Sequence, residues 1–432
     1  MSTQSVDIHN QHRLTFIAVS IWFVAAVFYA LDYLQHTIPS VLIAPIANSI
    51  GTSYIDIATI MSIYFPVYAL SQIPAGYLID RYGLKMTMTY ACLLLSLALL
   101  LLLIPTKTAV FSSRLLIAIG SAFAIIGTYK SVSVYLPKRY FTVFIGITQS
   151  IGTIGGLTGQ VFINYLIEQY GWHYSIIGIA LFGIFWSIVM LCCLKNQRSE
   201  NHADANHAAS HLAQPSSCLK SGSLSEIFRD KNIWLLAIYA AIMVGAVMNT
   251  FAELYDVLFL QKSFNISSQQ ATYITMFIFI GVGVGAPLHG LIANLFQRPR
   301  LWSSICALLT FINFSLITLS ALWPFNRFIL MGLYFSLGFF VCSMLLSFSI
   351  ARCCYPIHRH AVIFAFVNSI IGVAGFFFPV VFGVLVHFAL RYAHPANELV
   401  FPLILLSGSL MISFILTFFI NDFRLQSPAA KC

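Results

Sequence analysis

Long apolar stretches recur along almost the whole chain, and each is bounded by a few polar or charged residues. Each is about 20 residues long, which an α-helix needs to cross the hydrocarbon core of a bilayer. Alternating segments of about ten residues, typical of a membrane β-barrel, do not occur. The pattern predicts an all-α membrane protein with twelve transmembrane helices at residues 14–43, 54–78, 86–104, 110–135, 141–166, 172–194, 232–259, 269–295, 301–322, 327–352, 359–389 and 399–421.

The one long polar stretch divides these helices into two sets of six. It predicts three parts: an N-terminal bundle (1–194), a cytoplasmic linker (195–231) and a C-terminal bundle (232–432). The bundles show internal repetition, because Pro137 precedes Gln149-Ser-Ile-Gly by the same interval that separates Pro356 from Asn368-Ser-Ile-Ile-Gly. Such pseudo-symmetric repeats are typical of transporter folds.

Composition and charge support a membrane protein. Hydrophobic residues make up 59% of the chain and charged residues 8%, against about 25% charged in a soluble domain. The net charge of +9 arises mainly from Lys and Arg on one side of the predicted bundle. This asymmetry places both termini in the cytoplasm by the positive-inside rule, so we expect no nucleic-acid partner. The first apolar stretch is too long for a secretory signal peptide, so we expect it to be retained.

Residues 76–85 read Gly-Tyr-Leu-Ile-Asp-Arg-Tyr-Gly-Leu-Lys, between the second and third predicted helices. This segment resembles the loop G-x-L-x-D-R-x-G-[RK] of the major facilitator superfamily. The matching residues are Gly76, Asp80, Arg81, Gly83 and Lys85. The resemblance implies a secondary transporter in two six-helix bundles that works by alternating access. It also implies that Asp80 lies near a helix N-terminus in a cytoplasmic gate and pairs with basic groups across the interface between the bundles.

The alternative for this segment is an ordinary turn with solvated charges, in which Gly83 provides a positive φ. The second bundle carries a degenerate counterpart, because Asn294 stands where Asp80 stands and the paired Arg is missing. We therefore expect an asymmetric gate in which Asp80 carries most of the interaction.

Charged residues within predicted helices are informative, because each costs a few kcal/mol at the centre of a bilayer. In helix 1, Asp32, Gln35 and His36 share one face at spacings of three and four. The resemblance implies that helix 1 lines the transport cavity, so this stripe is a candidate substrate or proton site. The alternative is a hydrated carboxylate near the outer surface.

Helix 4 contains Arg114 and Lys130. Arg114 resembles the helix-4 arginine of the superfamily, although the first glycine after it, Gly120, is more distant than in that motif. A guanidinium can bind a substrate carboxylate with two hydrogen bonds. The two cations point about 160° apart on a regular helix, so both face a cavity only if the helix twists or bends. The alternatives are that Arg114 extends to the outer interface and Lys130 to the cytoplasm.

Helix 7 is the repeat partner of helix 1, and Asn249, Glu253 and Asp256 follow one of its faces. We interpret Glu253 as a candidate proton carrier and expect Asp256 to be hydrated near the outer end. Gln149 and Asn368, related by the repeat, are the neutral side chains expected to reach the substrate. The glycines of helix 5 resemble an exporter motif that lacks its Gly-Pro step here, and close packing explains them more simply.

These features favour proton-coupled uptake of a small carboxylate-bearing metabolite, namely an amino acid, a short peptide or an organic acid. The stretch from Ser113 to Arg139 resembles a branch of bacterial nutrient permeases and lysosomal dipeptide transporters. The alternative is proton-driven efflux of a drug or siderophore-like compound. No phosphate-binding Gly-x-x-x-x-Gly-Lys-Ser/Thr segment occurs, which argues against an ATP-driven pump.

Two classes of protein outside transport fit the sequence less well. A receptor or scaffold predicts a large extramembrane region, and a membrane-embedded enzyme predicts clustered catalytic residues; the sequence shows neither. We therefore expect no enzyme activity, cofactor or metal. The expected protein is a monomer in a bacterial inner membrane, with a small molecule, protons and the lipid bilayer as its partners.

Overall fold

The protein is built from helices. A computed structural model describes residues 2–195, 224–296, 298–323, 325–392 and 399–421, and this part of the chain contains no strand. Ten of its helices are long and apolar enough to cross a membrane. The predicted all-α class is confirmed.

We number twelve helical units in chain order. They are α1 (Ser2–Thr37, continued by Pro39–Ile50), α2 (Tyr54–Ser62 and Tyr64–Tyr82), α3 (Leu84–Leu100), α4 (Lys107–Ser121 and Ala124–Tyr135), α5 (Phe141–Tyr170), α6 (Trp172–Cys193), α7 (Lys231–Met243, Val244–Tyr255 and Asp256–Phe264), α8 (Ser268–Phe296), α9 (Pro299–Leu319), α10 (Arg327–Val341 and Leu345–Cys353), α11 (His360–Tyr392) and α12 (Val400–Thr417). A short helix, Leu224–Arg229, precedes α7.

Several helices predicted to be continuous are interrupted. Helix α1 breaks before Pro39, whose ring leaves no backbone N–H for the preceding turn. Helix α4 breaks at Ala122–Phe123, and α10 has a 3₁₀ turn over Cys342–Met344. The last two breaks lie at corresponding places in the two halves of the chain, since α4 is followed by Pro137 and α10 by Pro356. The internal repeat therefore extends to helix irregularities that the apolar pattern did not predict.

Helix α7 contains a π-helical segment over Val244–Tyr255. The Thr250 hydroxyl donates a hydrogen bond of 2.7 Å to the carbonyl oxygen of Gly245, five residues earlier. Most π-helical geometry in proteins is a single turn, and such turns are frequent at functional sites. This segment carries Glu253, the candidate proton carrier of helix 7.

The first six and last six units, which we call the two halves, meet along two helix pairs, α2 with α11 and α5 with α8. Small residues allow these close approaches. A Cβ atom on Gly76 would lie 2.6 Å from Cβ of Ala365 and 2.7 Å from the carbonyl oxygen of Ala361. A Cβ atom on Gly290 would lie 2.5 Å from the backbone nitrogen of Val143. Helices in membranes associate through such small-residue contacts.

We expect Gly76→Ala to weaken the contact between α2 and α11. The added methyl group meets backbone on α11 rather than a flexible side chain, so one helix has to move. Overpacking of this kind costs about 1–3 kcal/mol. The measurement is the apparent melting temperature of the detergent-purified protein. Gly332→Ala in α10 is the matched control, because nothing lies within 4 Å of its added Cβ; equal melting temperatures for the two variants would contradict the expectation.

The predicted domain boundaries, 1–194, 195–231 and 232–432, stay a prediction. Most of the predicted linker, residues 196–223, lies outside the described residues. Its described end contains the short helix Leu224–Arg229, and Asp230 accepts a hydrogen bond of 2.8 Å from the Tyr355 hydroxyl. This hydrogen bond joins the residue before α7 to the turn between α10 and α11.

Candidate functional site

Arg114 lies in the first segment of α4 and is 1% exposed. Its Nη1 donates to the carbonyl oxygen of Gln35 at 3.5 Å, its Nη2 lies 3.8 Å from the sulfur of Met61, and its Nε has no hydrogen-bond partner among the described residues. A distance of 3.5 Å is at the limit of a hydrogen bond. The guanidinium is thus a buried cation held only by weak neutral contacts.

Gln35 and His36 of helix 1 lie close to this cation, and Asp32 lies one turn earlier on the same helix. Asp32 and Gln35 are 4% and 2% exposed, and within the described chain Oδ1 of Asp32 and Oε1 of Gln35 lack hydrogen-bond partners. Ser121 of α4 lies beside Asp32. The His36 ring stacks on Tyr33 and packs edge-on against Tyr64 at a centroid distance of 5.0 Å. We call Asp32, Gln35, His36 and Arg114 the polar cluster.

Asp32 and Arg114 do not reach the outer solvent, which was the alternative for each of them, because both side chains are buried. Burial of a charged group in a membrane bundle requires a partner or water. Since the described protein atoms give Arg114 no anionic partner, its geometry suits a ligand that brings a negative charge.

Gln149 and Asn368 each form a hydrogen bond with a tyrosine. The Tyr29 hydroxyl donates to Oε1 of Gln149 at 3.3 Å. Nδ2 of Asn368 donates to Oε1 of Gln72 at 2.9 Å and to the Tyr68 hydroxyl at 3.3 Å. Asn368 on α11 is thereby joined to α2 of the opposite half.

The α2 residues of this region were not predicted from the sequence. Tyr64 and Tyr68 stack with ring centroids 5.5 Å apart, and Gln72 follows four residues later on the same helix face. A polar and aromatic stripe at a spacing of four was visible in the sequence and could have identified them. Together with Tyr29 and Tyr33 of α1, these tyrosines connect the polar cluster to Gln149 and Asn368.

Glu253 in the π-helical segment is exposed. Nδ2 of Asn249 donates to its Oε2 at 3.4 Å, and Tyr33 of the opposite half lies within electrostatic range. The expectation that Asp256 is hydrated is wrong. Asp256 is 2% exposed and accepts a hydrogen bond from the Thr275 hydroxyl, because α8 packs over it.

Lys130 does not join Arg114. It lies in the second segment of α4, about 24 Å further along the helix, where its Nζ forms a 2.7 Å ion pair with Asp80. The Lys130 and Asp80 side chains are 9% and 4% exposed. Nζ of Lys130 also donates to the carbonyl oxygen of Ile357 in the opposite half. Lys130 was expected either to face the substrate cavity or to reach the cytoplasm. Instead, its side chain is buried in an ion pair.

Asp80 also receives the first backbone amides of α11. Its Oδ2 accepts from the N–H of Val362 at 3.0 Å, and its Oδ1 accepts from the N–H of Ala361 at 3.4 Å. A carboxylate at a helix N-terminus satisfies unpaired N–H groups and the positive end of the helix dipole. We call Asp80, Lys130, Ile357, Ala361 and Val362 the gate cluster.

The resemblance placed a basic partner of Asp80 across the interface. The structure corrects this detail, because Lys130 belongs to the same half as Asp80, while the opposite half contributes backbone groups. Asn294 also crosses between the halves, with Nδ2 donating to the carbonyl oxygen of Arg139 at 2.6 Å. The degenerate copy of the motif thus retains an interaction between the halves.

The remaining motif residues surround the end of α2. Gly83 has φ +85°, a left-handed conformation that favours glycine and ends the helix. Arg81 is exposed, and its guanidinium lies over the Tyr82 ring at 5.4 Å. Lys85 is half-buried in the first turn of α3. Gly76 lies against α11, as described above.

A family model described as Major Facilitator Superfamily matches residues 21–379. The chain belongs to the Major Facilitator Superfamily. The fold agrees: the chain superposes on the proton:xylose symporter XylE with a TM-score of 0.76, covering 96% of this chain and 98% of that one at 13% identity. The recognition of the superfamily and the predicted twelve-helix fold are therefore confirmed.

The curated relatives match only part of the chain. The chain is 24% identical over 180 residues to "Probable anion transporter 7" of Oryza sativa, a match that covers 41% of this chain and 39% of the relative. It is 25% identical over 184 residues to "Putative multidrug resistance protein MdtD" of Yersinia enterocolitica, covering 42% of this chain and 39% of the relative. The matches to the most similar curated relatives span between 39% and 57% of those proteins' own length.

The chain is therefore a superfamily member with the fold and the apolar helices of a multi-pass integral membrane protein. Its family and fold are those of proteins that carry small molecules across membranes rather than of enzymes.

Proposed function

We propose that this transporter couples the uptake of a small carboxylate-bearing metabolite, namely an amino acid, a short peptide or an organic acid, to protons. The observation that carries the proposal is Arg114, a buried guanidinium without an anionic partner in the polar cluster. A carboxylate matches a guanidinium in shape and charge and forms two parallel hydrogen bonds with it. The name of the rice anion transporter supports a negatively charged substrate.

The other residues of the region have complementary roles in this proposal. Gln149 and Asn368 provide amide groups that can contact the rest of the substrate, one from each half. Asp32 and Glu253 are acidic residues without an ion pair among the described residues, so each can change its charge by binding a proton. His36 lies beside the Arg114 cation, which disfavours a second positive charge there, so we assign the proton to Asp32 or Glu253.

In this proposal, the gate cluster opens and closes one end of the transport cavity. Asp80 and Lys130 join α2 and α4 to the start of α11 and close the cavity at this end. Alternating access requires that these contacts break when the halves rock around the central site. We place this end, with both termini, in the cytoplasm of a bacterium with the protein as a monomer in its inner membrane, on the strength of the Lys and Arg distribution.

The direct test is transport by the purified protein in liposomes. Radiolabelled amino acids, dipeptides and dicarboxylates are screened with and without an inward proton gradient. The matched controls are the methyl esters or amides of the same compounds, which lack the negative charge. Gradient-dependent accumulation of an acid but not of its amide supports the proposal. Movement of bulky cations alone would overturn it.

We expect Glu253→Gln to abolish proton-driven accumulation while substrate counterflow persists. Glutamine keeps the size of the side chain and its contact with Asn249 but cannot exchange a proton. The measurements are gradient-driven uptake and counterflow in the same liposome preparation. Glu168→Gln, the same substitution at an exposed residue of α5, is the control. Unchanged accumulation by the Glu253 variant would remove Glu253 from the proton path.

Efflux of a drug or siderophore-like compound is the second candidate, because the multidrug protein MdtD is among the relatives. The two candidates differ in what Arg114 does. A carboxylate substrate needs its charge, whereas a cationic drug is repelled by it. Transport of a cationic dye that improves in Arg114→Gln would favour efflux over uptake.

A further inference from the structure

A groove of about 520 Å³ lies between α2, α3 and α4, away from the polar cluster. Its walls are hydrocarbon and aromatic surface from Leu78, Tyr82, Met86, Tyr90, Leu94 and Phe123. Tyr82 and Tyr90 are 55% and 60% exposed, so the groove opens outwards rather than into the bundle. Since these helices cross the membrane, its opening faces lipid.

Two cations lie at one end of this groove. The Arg81 guanidinium sits 5.4 Å above the ring of Tyr82, which forms part of the wall, and Lys85 directly precedes the wall residue Met86. Arg81 donates a hydrogen bond of 3.0 Å to the Tyr77 hydroxyl. Within the described chain neither cation forms an ion pair. The groove is thus apolar along its length and positively charged at its end.

We propose that this groove is a binding site for an anionic phospholipid, with an acyl chain along the wall and the headgroup phosphate at Arg81 and Lys85. An apolar channel open to the bilayer suits a hydrocarbon chain, and Lys and Arg at the membrane surface attract anionic headgroups. The one hydroxyl of the wall outside the tyrosines, that of Thr87, is bonded to the carbonyl oxygen of Gly83 and leaves the interior apolar. This site is separate from the transport site and does not depend on the proposed substrate.

The test is native mass spectrometry of the full-length, delipidated protein titrated with palmitoyl-oleoyl phosphatidylglycerol or with phosphatidylcholine of the same chains. We expect phosphatidylglycerol to bind about tenfold more tightly, since two cations contact its headgroup. The double variant Arg81→Ala/Lys85→Ala should bind both lipids equally. The control Arg139→Ala/Lys231→Ala removes two exposed cations elsewhere, one of them also stacked on a tyrosine, and should keep the preference.

A second variant tests the groove itself. Leu94→Trp fills its half-buried wall without touching either cation and should weaken phosphatidylglycerol binding as strongly as removal of the cations. Gel filtration of each variant checks its fold. Equal binding of the two lipids by the unmodified protein, unchanged binding by Leu94→Trp, or displacement of the lipid by soluble glycerol phosphate would each overturn the proposal.

Discussion

Replacement of Lys130 by methionine is expected to destabilise the closed form of the protein by about 3–5 kcal/mol, the cost of removing one partner from a buried ion pair. The Asp80 carboxylate, 4% exposed, would keep only the backbone N–H groups of Ala361 and Val362 as partners. Its charge would then be uncompensated in a membrane bundle. The measurement is the apparent melting temperature, which should fall by more than for any exposed Lys→Met substitution, such as Lys231→Met.

The double variant Asp80→Asn/Lys130→Met separates the charge from the contact. Asparagine can still accept a hydrogen bond from the Val362 N–H, but it leaves no buried charge. We expect this variant to recover most of the lost stability, since replacing both partners is far less costly than replacing one. Failure to recover would indicate that Lys130 acts through packing rather than through its charge.

Closure of the gate can be measured in the same variants by adding a cysteine nearby. Ser349 of α10 is 1% exposed, and its hydroxyl lies 2.9 Å from that of Thr142 in the opposite half, so Ser349→Cys places a small reporter where the halves meet. Lys130→Met should accelerate its alkylation by maleimide. The native Cys192 and Cys193, exposed at the end of α6, serve as internal controls. An unchanged alkylation rate would show that the ion pair does not hold this end closed.

The fold could be predicted from the sequence because each transmembrane segment is a local pattern. Apolar stretches of bilayer length define the helices, and the segment at residues 76–85 carries the family signature. The interruptions of α4 and α7 could not be predicted, since they depend on how neighbouring helices pack. A stretch of apolar residues does not show whether the backbone is α-helical or π-helical.

The site could be predicted only in part. Asp32, Gln35 and His36 share a helix face, and the structure places Gln35 and His36 near Arg114. The pairing of Lys130 with Asp80 joins residues fifty positions apart on different helices, so no local pattern contains it. Asp256 was misplaced for a similar reason, because its burial comes from α8 and not from its own helix.

Arg114→Gln is expected to weaken carboxylate transport strongly while leaving the protein folded. Hydrogen bonds between charged groups contribute about 1.5–3 kcal/mol, so substrate affinity should fall by about 10- to 100-fold. Arg114→Lys should restore only part of it, because an ammonium group cannot form the two parallel hydrogen bonds of a guanidinium. The measurements are the KM of uptake in liposomes and the substrate-induced rise in melting temperature.

The stability of the substrate-free variant distinguishes a ligand-binding role from a structural one. Arg114 is held only by the Gln35 carbonyl at 3.5 Å and the Met61 sulfur at 3.8 Å, so its removal breaks little and eliminates a buried, unpaired charge. We therefore expect the melting temperature of Arg114→Gln without substrate to stay the same or to rise. Arg327→Gln, at an exposed residue that begins α10, is the control and should change neither transport nor melting. A destabilised Arg114→Gln protein that still transports carboxylates would mean that the guanidinium supports the fold and that the substrate is recognised elsewhere.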